Sequence, residues 1–308
     1  MFRKVLAVIS AAVVMFTCGI VTAAAESNSL FEYEVNGGEV TITKYIGSGK
    51  TTLYIPPKID NMKVTAIGEY AFDHNEELQT VVIPTSVSNV GEGAFYNCTG
   101  LKSLYVPGSI KETPTKFCYN CFYLETVVLS SGLTALGNAS FVHCRKLTQI
   151  KLPDTLKTIG GGAFLECNLS SIELPDGLEE IGSWGLCSDG DLKSVTIPAS
   201  VKTLEKYAVG YDDTGNVKDD FTINCYTGTE AHRYAVAYGI NYELLDSDGI
   251  KSGDVNGDGN IDMKDITDLQ RYVNGWKVAI VPTGADVDVS GEINMKDITT
   301  LQKLINSK

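Results

Sequence analysis

From Leu78 onward, hydrophobic and polar positions recur on a fixed spacing. Six segments, LQTVVI, LKSLYV, LETVVL, LTQIKL, LSSIEL and LKSVTI, begin at Leu78, Leu101, Leu124, Leu147, Leu169 and Leu192. Each is a leucine, two polar residues and an apolar–x–apolar run, the period-two pattern of a short half-buried strand. Pro84, Pro107, Ser130, Pro153, Pro175 and Pro198 follow these runs, at steps of 23 residues with a single step of 22. Proline cannot donate to a ladder, so it ends the strand. The short step is a deletion: one residue separates Cys167 from Leu169, where two separate Cys144 from Leu147. After each turn come two apolar residues three apart (Val87/Val90, Leu133/Leu136, Leu156/Ile159, Leu178/Ile181, Val201/Leu204), then a small residue before a large one, as in Ala94-Phe95 and Ala163-Phe164. One such unit has no closed core. Units stacked on one another bury these positions, so the pattern predicts a repeat solenoid, mainly β with short helical turns.

The pattern changes at both ends of the array. Phe31 to Lys44 alternates and predicts a capping hairpin with Asn36-Gly37 as its turn. The segment from Phe221 to Leu245 predicts strand, short helix over Ala231 to Ala237, and strand, with His232 as a structural residue. The repeats resemble the BspA-like class of bacterial leucine-rich repeats from about Tyr54 to Leu245. The motif Ile-Gly-x-x-Ala-Phe is matched at Ile67 to Phe72 and Ile159 to Phe164, and poorly at Thr113-Pro114.

Two columns of this array carry candidate chemistry. Cys98, Cys121, Cys144 and Cys167 lie 23 apart, with Asn75 at the preceding register. Stacked equivalents sit about 4.7–4.9 Å apart. A linear ladder is the wrong shape for a tetrahedral metal site, so reduced structural thiols are favoured, and disulfides between rungs stay open. Val82, Tyr105, Val128, Lys151, Glu173 and Thr196 occupy outward strand positions and form a ribbon of mixed chemistry. That ribbon is either a solvated sheet face or a face for an unknown protein or polysaccharide.

At the N-terminus, Arg3-Lys4, an apolar run to about Val21 and Ala23-Ala24-Ala25 have the layout of a secretory signal peptide over residues 1–25. No other segment is apolar enough to span a bilayer, so the expectation is a secreted chain with no membrane span after cleavage. The formal charge of −13 argues against nucleic-acid partners. Only three His residues are present, without His-Glu-x-x-His spacing. The ribbon offers only Glu173 where glycoside hydrolysis needs a facing pair, and no Gly-x-Ser-x-Gly occurs. No catalytic residue is assigned.

Residues 246–252 read as a polar linker, and residues 253–308 as a second, small module. Within it, Asp254 to Asp265 and Asp286 to Asp297 are two twelve-residue loops, offset by 32. A tight loop directs positions 1, 3 and 5 inward, which is what an oxygen-seeking cation requires. The first loop offers Asp254, Asn256, Asp258, the Asn260 carbonyl, Asp262 and Asp265; the second offers Asp286, Asp288, Ser290, the Glu292 carbonyl, Asn294 and Asp297. Gly259 and Gly291 sit at the sharp turn, and Ile261 and Ile293 point inward between the loops. The set predicts two bound calcium ions, held more tightly by the first loop, which places four carboxylates at side-chain ligand positions against three in the second, Glu292 ligating through its carbonyl. Two departures from the EF-hand pattern stand out: Asp replaces Glu at position 12, and no leading helix precedes either loop. Helices do follow, with Ile266, Leu269 and Tyr272/Val273, then Ile298, Leu301 and Leu304/Ile305, at helical spacing.

A duplicated loop–helix without leading helices resembles a type I dockerin, over Gly253 to Ile305. The resemblance implies a small all-α calcium-binding module that docks the cohesin module of a scaffoldin. It implies contact residues Met263, Lys264, Leu269, Gln270 and Arg271 on one face and Met295, Lys296, Leu301, Gln302 and Lys303 on the other. Met263 and Met295 could instead pack in the core. The near identity of the faces implies two docking orientations, and Met-Lys replaces the family's usual hydroxyl pair. The combined expectation is a secreted, non-catalytic binding or adhesion subunit of a cellulosome-type polysaccharide-degrading complex. The alternatives are a glycoside hydrolase or peptidase component of that complex, and an inhibitor or adhesin displayed by the calcium module.

Overall fold

The computed structural model describes residues 28–307 except 188–191, 213, 246–251, 257 and 259. The signal-peptide reading of residues 1–25 with Cys18, nearly all of the linker and the turn glycine Gly259 lie outside the described residues.

The repeats form a solenoid of stacked coils, each contributing a rung to two parallel ribbons. The broad ribbon pairs Thr52–Tyr54, Thr80–Val82, Ser103–Val106 and Thr126–Leu129 in parallel. It continues through single parallel bridges from Val128 to Lys151 and from Lys151 to Glu173. The narrow ribbon pairs Glu112–Thr113, Ala135–Leu136, Thr158–Ile159, Glu180–Ile181 and Thr203–Leu204. Between the ribbons lies one continuous apolar core from Phe31 to Ile240. Phe72 stacks on Phe95 with centroids 4.8 Å apart, and Phe141 on Phe164 at 5.7 Å. The expected apolar pairs face this core, with Val90 only partly buried.

The motif glycine is explained by coil-to-coil approach. A Cβ on Gly160 would lie 2.7 Å from the Leu136 carbonyl oxygen and 2.8 Å from the Asn138 nitrogen, both in the preceding coil. The poorly matched coil repairs itself in two ways. Thr113, buried where the motif has Ile, lies 2.8 Å from the buried Ser140 hydroxyl and accepts from the Gly137 N–H. The small-then-large order is reversed to Phe117-Cys118, and Phe117 still packs edge-on against Phe95 and Phe141.

The caps follow the predicted elements with one correction. The hairpin Phe31–Asn36 and Glu39–Tyr45 turns at Gly37-Gly38, not Asn36-Gly37. Both glycines have positive φ, +59° and +83°, as the two-residue turn requires, and Asn36 pairs with Glu39. At the other end Ser194–Thr196, Thr222–Cys225 and Asn241–Leu244 pair in parallel around helix α1 (Glu230–Tyr238). His232 on α1 is buried, accepts from the Gly228 N–H and packs against Tyr242, a structural role.

The C-terminal module has its own apolar cluster, built from Val255, Ile266, Leu269, Ala285, Val287, Ile298 and Leu301. Its helices are α2 (Met263–Val273), α3 (Pro282–Ala285) and α4 (Met295–Asn306). The single turn α3 directly precedes the second loop, which corrects the expectation that no helix does. Pro282 opens it, preset for a first helical position. Among the described residues, no helix is long and apolar enough to cross a membrane.

Candidate functional site

The two calcium-type loops end in α2 and α4 through identical devices. Asp262 caps α2 and Asn294 caps α4, and the position-12 carboxylates Asp265 and Asp297 reach back to the cap N–H at 2.8 Å. Their other oxygens accept backbone N–H groups across the loop, from Val255 and Asn256 to Asp265, and from Asp288 to Asp297. Each loop is thereby closed on its own last ligand position. In the second loop, Asp286 also accepts from the Ser290 and Gly291 N–H groups, and Gly291 turns at φ +83°. Ile261 and Ile293 pack onto the module's cluster.

These contacts bring three expected ligands together. One carboxylate oxygen from each of Asp286, Asp288 and Asp297 lies within 4.8 Å of the others. Ser290 Oγ lies 3.1 Å from the Glu292 carbonyl, so two more expected oxygens adjoin. The first loop's carboxylates are not gathered in this way among the described residues. Burial, joined by the charge of Asp288, holds the Asp297 carboxyl above its ordinary range. The electrostatics are those of a divalent-cation site. Hard oxygen donors converge, and their mutual repulsion is what a bound cation would remove. Calcium would be held by Asp286, Asp288, Ser290, Glu292, Asn294 and Asp297 and would supply charge neutralisation and loop order.

The faces implied to bind a partner separate into exposed and buried residues. Met263 and Met295 are 58% and 61% exposed, so neither packs in the core. Lys264, Gln270, Arg271, Lys296, Gln302 and Lys303 are exposed as well. Leu269 and Leu301 are fully buried, which corrects their assignment as contacts. Helical spacing places them on the same side as Ile266 and Ile298, facing the module's core. Tyr272 is exposed rather than inward, and Trp276 beyond it is 66% exposed.

On the solenoid, Val82, Tyr105, Val128, Lys151 and Glu173 stand side by side in ladder register, with Tyr54 ahead of Val82. Thr196 belongs instead to the capping sheet, paired with Asn224. Seven cysteines are buried thiols with no disulfide among the described residues. Cys98, Cys121, Cys144 and Cys167 each donate to a backbone carbonyl 26 residues upstream, at 3.0–3.2 Å. Burial pushes the Cys98, Cys121 and Cys144 thiols far above their ordinary range.

A second column escaped the sequence reading. His74, Asn97, Asn120, His143 and Glu166 each adopt positive φ, at the same period as the cysteines. Their side chains link end to end: His74 to Asn97 at 2.9 Å, Asn120 to Asn97 at 2.8 Å, His143 to Asn120 at 2.7 Å and His143 to Glu166 at 2.8 Å. Arg145 also pairs with Glu166. Burial disfavours the Glu166 charge, but Arg145 and His143 outweigh it and hold the carboxyl below its usual range. The shared period was the signal that could have revealed this column.

Comparison with known proteins agrees with the geometry. The family model described as BspA type leucine rich repeat region matches six copies over residues 54–159 and 134–218, more than half of the 308 residues. The dockerin type I domain matches residues 252–306. A leucine rich cell surface protein from Faecalibacterium prausnitzii is similar at 23% identity and a TM-score of 0.54, over 65% of this chain and 54% of that protein. The leucine-rich-repeat protein of T. pallidum is similar at 26% identity and a TM-score of 0.50, over 70% of this chain and 97% of that one. The chain thus spans about half the length of the Faecalibacterium protein and nearly all of the treponemal one. No curated protein matches.

Proposed function

Because the chain belongs to the BspA-type leucine-rich-repeat family and carries a type I dockerin domain, we propose that it is a secreted, non-catalytic subunit of a cellulosome-type polysaccharide-degrading complex. Both parts are binding modules. In this reading, residues 1–25 are a cleaved signal, 26–245 the repeat domain with its caps, 246–252 a linker and 253–308 the docking module. Two calcium ions order the loops. The exposed faces around Met263-Lys264 with Gln270-Arg271, and Met295-Lys296 with Gln302-Lys303, each meet the cohesin module of a scaffoldin. The repeat ribbon then presents a protein or polysaccharide ligand to the complex.

The observation that carries this reading is the convergence of Asp286, Asp288 and Asp297 directly before a helix whose exposed residues repeat those of α2. The test is capture of the full chain on immobilised cohesin modules with calcium and with chelator. Calcium-dependent capture, lost when both faces are altered but kept when either is intact, is the expected result. Capture that ignores the chelator, or none on any cohesin type, would overturn the docking role.

A further inference from the structure

The ladder of the broad ribbon stops at Glu173. Thr196, the next outward residue, pairs onward with Asn224, and no ladder pair joins it to Glu173 among the described residues. A cleft of about 550 Å³ is lined by residues of both segments. Its volume lies in the range of small-ligand sites, roughly 300–1,000 Å³.

The lining is specific in what it contains and what it lacks. Glu173 and Asp176 stand on one wall, Ser194 and Thr196 on the other, with Asn224 and Tyr226 beyond. The floor includes the buried Ile172 and Val195. Among the described residues no Lys, Arg or His lines the cleft, so an anionic ligand would meet carboxylates and no counter-charge. Carboxylates accept from hydroxyl groups, the Asn224 amide both donates and accepts, and the Ser and Thr hydroxyls do either. Tyr226, 37% exposed, offers a flat apolar surface to the face of a ring. Groups that exchange hydrogen bonds with several hydroxyls, beside one aromatic plane, suit a polyhydroxylated, uncharged ring. A cationic peptide would use the two carboxylates but leave the hydroxyls and amide unexplained. Because the cleft lies on the open ribbon, a polymer can pass through without a free end.

We propose that this cleft holds neutral sugar units of an extended polysaccharide, without cleaving them. Glu173 and Asp176 are both exposed, lacking the apolar enclosure that surrounds a glycosidase's general acid. The proposal rests on the reading of the repeats as the ligand-presenting half of the protein, and it names the ligand class.

The test is native electrophoresis of the full chain in gels containing neutral mixed-linkage β-glucan, xyloglucan, arabinoxylan or galactomannan, with polygalacturonate as the anionic polymer, each with calcium and with chelator. Retardation by at least one neutral polymer, absent with polygalacturonate and unchanged by chelator, is expected. Tyr226→Ala should weaken it about tenfold, the scale of losing one aromatic anchor. The isosteric Glu173→Gln should weaken it too, and guards against a folding defect in the first variant. Tyr123→Ala, an exposed aromatic outside the cleft, should leave it unchanged. Retardation by no neutral polymer, by polygalacturonate alone, or undiminished from wild type in both cleft variants would overturn the proposal. Release of reducing ends, or displacement of bound polymer by a polyarginine peptide at micromolar concentration, would do so as well. The chelator arm keeps this result apart from docking, because cohesin capture should vanish under the conditions where retardation persists.

Discussion

Glu166 ends a polar column and has two cationic or ionisable neighbours, Arg145 and His143, each 2.8 Å away. Its carboxyl lies below the ordinary range in the folded chain. A group whose folded value is depressed contributes stability above its unfolded value, near 4.5, and that contribution disappears as the pH falls through the folded value. Urea unfolding should therefore show the wild type more stable than Glu166→Gln near neutral pH, by about 1 kcal/mol or less because Arg145 is more than half exposed. Well below the carboxylate range the two curves should converge. A constant gap across the titration would mean that the substitution acts through packing. At this scale the sequence discloses position better than cause. The cysteine period was visible, and so was its preference for small, weak hydrogen-bonders, now seen as thiols donating to carbonyls of the preceding coil. The His–Asn column has the same period but hides among varied residue types, because a left-handed turn position tolerates Asn, His or Glu. Gly160 was legible as motif; its reason, backbone atoms of the preceding coil within 2.8 Å, exists only once coils stack.

Among the elements, four of the six repeat strands, both caps and the two long helices follow the periodicity, while LTQIKL and LSSIEL join the ladder only through single bridges at Lys151 and Glu173; other departures have local causes. The hairpin turn shifted by one residue because two adjacent positive-φ positions were needed, and Gly37-Gly38 supplies both. Thr113 reads as a defect in a single repeat. It becomes legible beside Ser140, one coil away, and without its hydroxyl the buried Gly137 N–H would lose its acceptor, at about 1–3 kcal/mol. The family resemblance implies Leu269 and Leu301 as contacts along the following helix, yet the apolar stripe turns them inward. The two loop–helix elements differ in charge and in assembly. The first places more carboxylates at side-chain ligand positions, while the second has three already within 4.8 Å of each other. Charge count and rigidity both set calcium affinity. We expect charge to dominate, since oxygens left uncollected in a loop can close on the ion. Calorimetry should then find tighter calcium binding when the second loop is disabled by Asp286→Ala than when the first is disabled by Asp254→Ala. The reverse order would make preassembly the stronger term.

Across the whole molecule, apolar residues divide into two separate clusters, one from Phe31 to Ile240 and one from Val255 to Leu301. They differ in what holds them. The repeat core is long and continuous, with Phe and Cys columns bonded from coil to coil, so nearest-neighbour contacts alone sustain it. The smaller cluster has seven buried residues, and its module also buries the carboxylates Asp254, Asp265 and Asp297. Buried acids oppose compaction until a cation neutralises them, so we expect calcium binding and folding of this module to be one equilibrium. Chelation should therefore melt one part and leave the other. In thermal unfolding followed by circular dichroism, chelator should remove a helical transition, shift it to lower temperature in proportion to free calcium when the ion is partly restored, and leave the β transition in place. Heteronuclear spectra should lose dispersion only for residues beyond about 252. A single transition that moves as one unit with calcium would show that the two cores unfold together, and the division of labour between a rigid display surface and an ion-gated plug would fail with it.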